Sequence, residues 1–291
     1  MKDMKNMKIS IGFIGAGTVA TTFAVKLAEG GYPVVAVADT DPESARRMAH
    51  RVQGCQVLSD NQSVVDAADL VIIATWDQAM AGVIDQLSWR EGKSVVHTSG
   101  FFGTDILEPA RQAGADVGGF HPAQLFANLD QALTALPGST FCLMGEPPLL
   151  DTLKDMVAAL QSRYIVLRPD QKPLYHVALA FACDFTMVCV KICTELFQKF
   201  GVSSPEAIKA VTPILRGAVD GITTLGFPDC FSGPVTRGDL SVIGRHVATL
   251  EKNAPELAAL FKTLEKHIVP MALAKGTIDQ ATAQKEIDLL S

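Results

Sequence analysis

Ile9-Ser-Ile-Gly-Phe-Ile-Gly15-Ala16-Gly17-Thr18-Val19-Ala20-Thr-Thr-Phe-Ala24 is the stretch on which the reading of this chain turns. Its Ile-rich opening reads as a buried strand that stops at Gly15. From Thr18 onward, Ala20, Phe23, Ala24 and Leu27 fall on one helical face. Between strand and helix lies Gly15-x-Gly17-x-x-Ala20, the Gly-x-Gly-x-x-Gly/Ala form of the dinucleotide fingerprint. Gly15 permits the tight turn, Gly17 lets the backbone approach a pyrophosphate, and Ala20 lets helix and strand pack closely. The helix start offers unpaired N–H groups and a positive dipole end to that pyrophosphate. A second strand, Val34–Ala38, ends at Asp39, 22 positions after Gly17, where a ribose-binding carboxylate belongs. Gly15, Ala16, Gly17, Thr18, Val19, Asp39 and Thr40 are therefore the expected dinucleotide contacts.

Working outward, Met1–Lys8 carries three lysines and Ile9–Val25 carries no charge, which imitates a secretory signal. The three glycines in the run suit a turn better than a membrane-inserting helix. The residues before the first strand read as a disordered lead-in, with Met4 and Met7 as alternative starts. With 291 residues, 48% of them hydrophobic and 19% charged, the chain can bury a substantial core in one large or two ordinary domains. The net charge of −6 and the lack of a basic run argue against nucleic acid as a partner. The six cysteines show no metal-binding spacing and read as buried reduced thiols, which points to the cytoplasm.

The first half alternates strands and helices, the signature of a parallel sheet. Asp41-Pro42-Glu43 starts a helix to about Arg51. Leu70–Ala74 is a continuous apolar strand ending at Thr75-Trp76-Asp77. Ser94–His97 ends at Thr98-Ser99-Gly100, and Asp116–Phe120 ends at His121-Pro122. Ligands of such sheets bind beyond the carboxyl ends of the strands. Thr75, Trp76 and Thr98 are thus expected near the cofactor and Ser99 near the substrate, although Asp77 and Ser99 equally suit helix or turn capping. His97 reads better as a core histidine. Pro122 holds His121 extended at the mouth of the cleft. A further β-α-β piece, Ser139–Met144, Pro147–Leu160 and Tyr164–Leu167, extends the sheet.

Beyond Arg168 the chain turns helical. Leu174–Phe200 reads as one long helix, apolar all round and hence central to a core or an interface. His176, Asp184 and Lys191 interrupt it, which argues against a bilayer span. Asp184 and Lys191 share a face, about 10 Å apart; they read equally as internal ion-pair partners or as part of an active-site face. Pro205–Leu225 is helical with a kink expected at Pro213. The loop Gly226–Asp239 holds Arg237, suited to clamping a carboxylate or phosphate, or to bonding Asp239, itself a helix N-cap. Ser241–Lys252, Pro255–Lys275 and Thr282–Leu290 complete the helical part. The expected architecture is α/β: a Rossmann-type doubly wound parallel sheet over 1–168, then an all-helical substrate and dimerisation domain over 169–291.

Phe120-His121-Pro122, Tyr175-His176 and Ser232-Gly-Pro-x-x-Arg237-Gly-Asp239 resemble a family of predicted oxidoreductases that join a Rossmann-like domain to a helical domain of unknown function. More broadly, the arrangement is similar to the 6-phosphogluconate dehydrogenase-like class, with its ketopantoate and pyrroline-5-carboxylate reductases. The resemblance implies NAD or NADP binding and a homodimer through the helical domains. It departs from the β-hydroxyacid dehydrogenases, whose second domain opens with a lysine followed four residues later by asparagine. Here Thr194 and Glu195 follow Lys191. Asp39-Thr40 replaces the Ser-Arg common in NADP-preferring relatives and moderately favours NAD, with Arg46 and Arg47 nearby.

The reading that follows is an NAD(P)-dependent oxidoreductase acting on a small polar, possibly carboxylated metabolite, with neither membrane nor nucleic acid as partner. His121 or His176 serves as general acid near neutral pH, Asp184 orients it, and Arg237, Lys191 and Ser99 bind the substrate. The alternative is a dinucleotide-binding sensor or scaffold without turnover.

Overall fold

The computed structural model describes residues 8–291; the lead-in and its alternative starts lie outside them. The chain forms two compact units, Met1–Asp184 and Phe185–Ser291.

In the first unit, β1 (Ile11–Ile14) passes through the glycine turn into α1 (Thr18–Glu29). There follow β2 (Val34–Ala38), α2 (Pro42–Arg51), β3 (Gln56–Val57), α3 (Asn61–Ala67), β4 (Leu70–Ile73), α4 (Asp77–Asp85), β5 (Ser94–His97), α5 (Glu108–Gln112) and β6 (Asp116–Ala123). Then come α6 (Leu129–Ala135), β7 (Thr140–Met144), α7 (Leu149–Ala159), β8 (Arg163–Val166) and α8 (Lys172–Ala182). The eight strands form one sheet in the order β3-β2-β1-β4-β5-β6-β7-β8. Every neighbouring pair is parallel except β6–β7, which is antiparallel. The sequence announces the added strands but not this reversal, nor α6.

Both faces of the sheet are covered, and the strands show why. Leu70 and Ile72 of β4 enter one apolar cluster with Phe13, Phe23 and Phe120, while Val71 and Ile73 enter a second with Ile14 and Met80. Side chains alternate between faces with a period of two. A strand apolar on both faces therefore reads as an unbroken apolar run. Asp41 caps α2, accepting from the Glu43 and Ser44 amides at 3.1 and 3.2 Å, and Pro42 opens the helix.

The single helix expected over Leu174–Phe200 is two, α8 and α9 (Asp184–Gln198), divided at Cys183. Within the single chain the segment is not a buried core helix, which leaves the interface of the two expected places. Leu174 is 75% exposed, and Val177, Met187 and Val188 are exposed as well. Apolar periodicity reports what a helix would cover, not whether the covering partner lies in the same chain. The run Pro169–Gln198 is, by length and composition alone, apolar enough to cross a bilayer. The first compact unit runs to Asp184, and Lys172 at the start of α8 is fully buried within it.

The second unit is helical: α10 (Ser204–Leu225), α11 (Leu240–Asn253), α12 (Pro255–Lys275) and α13 (Gln280–Leu289) follow α9. Its core gathers Val235, Ile243, Val247, Val269, Ala283 and Leu290. Pro213 lies inside a continuous α10. Gly276 ends α12 in the left-handed conformation, and Asp239 caps α11 through the Val242 amide at 3.1 Å.

Candidate dinucleotide and catalytic site

The glycine turn has the shape its sequence implies. Gly15 has φ +100°, and a side chain there would approach the Ala74 carbonyl oxygen to 2.7 Å. Gly17 faces open space and caps α1 with no side-chain hydrogen bond, and the first turn of α1 holds no acid. The amino end of α1 is thus free to meet an anion. A cleft of about 830 Å³ opens here, lined by Ala16, Gly17 and Thr18 on one side and by Arg46, Arg47 and Arg51 on the other. Thr75, just past β4, keeps a buried hydroxyl without a hydrogen-bond partner. These features fit a dinucleotide.

Asp39 sits at the end of β2 as expected, but its carboxylate already has work. Oδ2 accepts from the Ala16 amide at 2.6 Å and Oδ1 from the Asp41 amide at 2.7 Å. It ties the fingerprint loop to the second strand before any ribose arrives. Val19 is half-buried in α1, Thr40 and Trp76 are exposed, and Thr98 continues the backbone ladder of β5 onto Ile73. Ser99 is buried, and its Oγ accepts from the Phe101 and Phe102 amides at 3.1 Å each, the capping arrangement.

The second group gathers at Gly100. A β-carbon on Gly100 would lie 2.8 Å from His176 Nε2 and 2.9 Å from His121 Nε2. Two imidazoles thus converge on one point, and only glycine leaves them room. His121 arrives from within β6, which runs on to Ala123 rather than ending at Phe120, and is paired in register with Cys142 of β7. Register partners on neighbouring strands present their side chains on the same face. Tyr175 and His176 arrive from α8. His121 Nδ1 lies 3.0 Å from the Tyr175 hydroxyl, with the rings edge to face.

Beneath this group lies Lys172, which sequence reasoning passed over. Its side chain is fully buried, and its Nζ makes no well-formed hydrogen bond. Nζ stands 5.0 Å from the Tyr175 ring centroid, with the Cys142 thiol as polar neighbour. Burial lowers the lysine's pKa, opposed by Cys142 and Asp77. The available signal was its place four residues before His176, on the same helical face.

An imidazole at His121 titrating near neutrality does not hold. Burial, then the charges of Lys172, His176 and His97, push His121 down to about 3. It is a neutral imidazole at working pH. When the Tyr175 phenol donates to Nδ1, the remaining imidazole proton lies on Nε2, toward Gly100. Burial and Cys142 raise the Tyr175 pKa, keeping the phenol protonated. His97 is a core histidine: fully buried, with Nε2 3.1 Å from the Gly103 carbonyl and burial pushing it down to about 4.

Other expected site residues are not brought together by any contact. No hydrogen bond or ion pair joins Asp184 to His121 or His176 among the described residues. Lys191 and Arg237 belong to the second unit. Lys191 pairs with Glu195, and Arg237 donates to the Ser232 carbonyl. Both are exposed. All six cysteines are free; Cys142 is buried and Cys189 exposed, so not every thiol is hidden.

Residues 1–122 match the model of a Rossmann-like domain, and residues 139–268 match DUF2520, a domain of unknown function. The chain joins a Rossmann-like domain to a DUF2520 domain. A candidate NADP oxidoreductase from Bacteroides fragilis is 26% identical, with a TM-score of 0.70 over 90% of this chain and 98% of that one. A Thermotoga maritima protein is 22% identical, with a TM-score of 0.75 over 91% and 99%. An Aspergillus terreus reductive aminase, solved with NADPH and ethyl-5-oxohexanoate, shares the fold at 16% identity and TM-score 0.69, over 95% and 98%. A 76-residue stretch is 37% identical to inositol 2-dehydrogenase 4 of Saccharopolyspora erythraea. That stretch is 25% of this chain and 22% of the relative's length.

Proposed function

We propose that this protein is an NAD(P)-dependent oxidoreductase acting on a small polar metabolite. The carrying observation is that the open, uncapped start of α1 and the imidazole pair at Gly100 stand at the ends of strands of one sheet. Gly15, Ala16, Gly17 and Thr18 would hold the pyrophosphate, and Thr75 and Thr98 would flank the nicotinamide portion. When bound, the dinucleotide supplies or takes up a hydride. His121 and His176 hold the substrate oxygen or nitrogen and move its proton at Nε2. Tyr175 fixes the His121 tautomer. Asp39 disfavours a 2′-phosphate while Arg46 and Arg47 favour it, so we expect both NAD and NADP to bind.

We propose also that the chain works as a homodimer, in which exposed apolar residues of α8, α9 and α10 are covered by a second copy. Exposed apolar surface on such a scale marks an interface. Lys172, His176, Asp184 and Lys191 within the apolar run suit this better than a bilayer. Free thiols suit the reducing cytoplasm as its setting.

Fluorescence titration with NADH and NADPH tests the reading, and His121→Gln and His176→Gln test the site. Tight binding is expected in all three proteins, with turnover lowered by about 10²-fold or more in at least one variant. No dinucleotide binding overturns the proposal; binding without turnover on any small carbonyl, alcohol or imine supports a sensor instead.

A further inference from the structure

The polar groups meeting at the Gly100 point are two imidazoles, a phenol and a lysine, with the Cys142 thiol beside them. His121 Nε2 and His176 Nε2 converge there, the Tyr175 hydroxyl backs His121 through Nδ1, and the Lys172 ammonium lies buried against the Tyr175 ring. No carboxylate hydrogen-bonds or pairs with any of these four side chains among the described residues. The Cys142 thiol and the charge of Asp77 favour the Lys172 ammonium, but no carboxylate lies within ion-pair distance of it among the described residues, and burying it so is costly in the resting protein. The same arrangement is favourable at the moment negative charge develops beside it, because the donors are already aimed and water is excluded.

Resting on the oxidoreductase reading above, we propose that this site acts on carbon–oxygen bonds, reducing C=O or oxidising CH–OH, and discriminates against imines. In the reducing direction, a hydride from the reduced dinucleotide adds to the carbonyl carbon, and the π pair moves onto oxygen. The new alkoxide takes the proton from His121 Nε2, and His121 Nδ1 takes the proton from the Tyr175 hydroxyl. The imidazole ends neutral, and the charge ends on the Tyr175 oxygen until solvent returns the proton. Lys172, behind the ring, stabilises that phenolate and so acts as a positioning residue that never touches substrate. The reverse sequence oxidises an alcohol. An iminium ion needs none of this: it already carries its proton, its charge falls on reduction, and the Lys172 ammonium repels it. Several proteins of the same fold are imine reductases, so the prediction separates this chain from them by the sign of charge at the reacting group.

Two measurements on the full-length protein decide the matter once dinucleotide binding is established. Oxamate and piperidinium, probes for oxyanion and iminium respectively, are titrated calorimetrically into dinucleotide-saturated protein. Oxamate is expected to bind, and to weaken by about ten- to a hundredfold in His121→Gln, the loss of a hydrogen bond to a charged group. Piperidinium binding more tightly, or neither probe binding, overturns the proposal. Turnover is then compared on 2-oxo acids and aldehydes against 1-pyrroline and related cyclic imines. Tyr175→Phe is expected to lower kcat on the carbonyls with KM little changed. Lys172→Met is expected to shift the alkaline limb of the kcat profile upward, while Lys172→Arg restores it. Faster reduction of imines than of carbonyls overturns the proposal, as does a Lys172→Met profile identical to wild type. Loss of dinucleotide binding itself would instead condemn the underlying oxidoreductase reading.

Discussion

Gly100, His121 and Lys172 show how much a single position depends on its surroundings. His121 was recognisable because Pro122 follows it at a strand end. Its protonation state was not, because that comes from burial and from Lys172, reached only through the fold. Gly100 reads as an ordinary turn glycine until two imidazoles are found occupying its β-carbon space. The buried histidines carry a linkage consequence. His97 and His121 have folded pKa values of about 4 and about 3, below the 6.5 of an unfolded histidine. Between those values the unfolded chain binds more protons, so stability rises with pH there. The contribution is complete above pH 6.5 and is lost as pH falls toward 4 and 3. Thermal melts from pH 8 to pH 4 should therefore show a shallower acid loss in His121→Gln than in wild type; parallel curves would show that the imidazole is not held neutral.

At the level of elements, the glycine turn and β4 were legible because their signals are local. A turn needs φ > 0 at one residue, and a strand covered on both faces needs unbroken apolar side chains. The reversal at β7 and the break at Cys183 have no such local mark. In the second unit, α11 to α13 bury a carboxyl whose cost is testable. Glu286 is fully buried with neither oxygen hydrogen-bonded, and burial, then Glu265, raise it to about 7. Burial raises Glu265 as well, opposed by His246 of α11. The folded state holds the proton longer than the unfolded one, so this group's stability is present below pH 4.5 and lost as pH rises to 7. Glu286→Gln should leave the Tm near wild type at pH 4.5 and raise it at pH 8. An equal effect at both pH values would place the Glu286 charge outside the core.

For the whole molecule, the apolar run from Lys172 to Gln198 and the exposed apolar residues of α10 ask for a covering partner. Ile214 is 73% exposed and Leu225 62% exposed, beside Leu174 at 75%. Light scattering of purified protein should give the mass of two chains, and Leu174→Glu combined with Ile214→Glu should give that of one. A wild-type monomer at micromolar concentration would refute the homodimer.

The sequence by itself determined the doubly wound sheet, the helical second half and the place of the dinucleotide turn. Each is written in residues close together in the chain: period-two and continuous apolar runs, a glycine spacing, an acid at a strand end. Only the tertiary structure decided that Asp39 is bonded to the fingerprint loop, that Ser99 caps a turn, and that His121, Tyr175, His176 and Lys172 meet at Gly100. Those outcomes depend on distances between residues far apart in sequence and on the dielectric around them, and no local pattern encodes either.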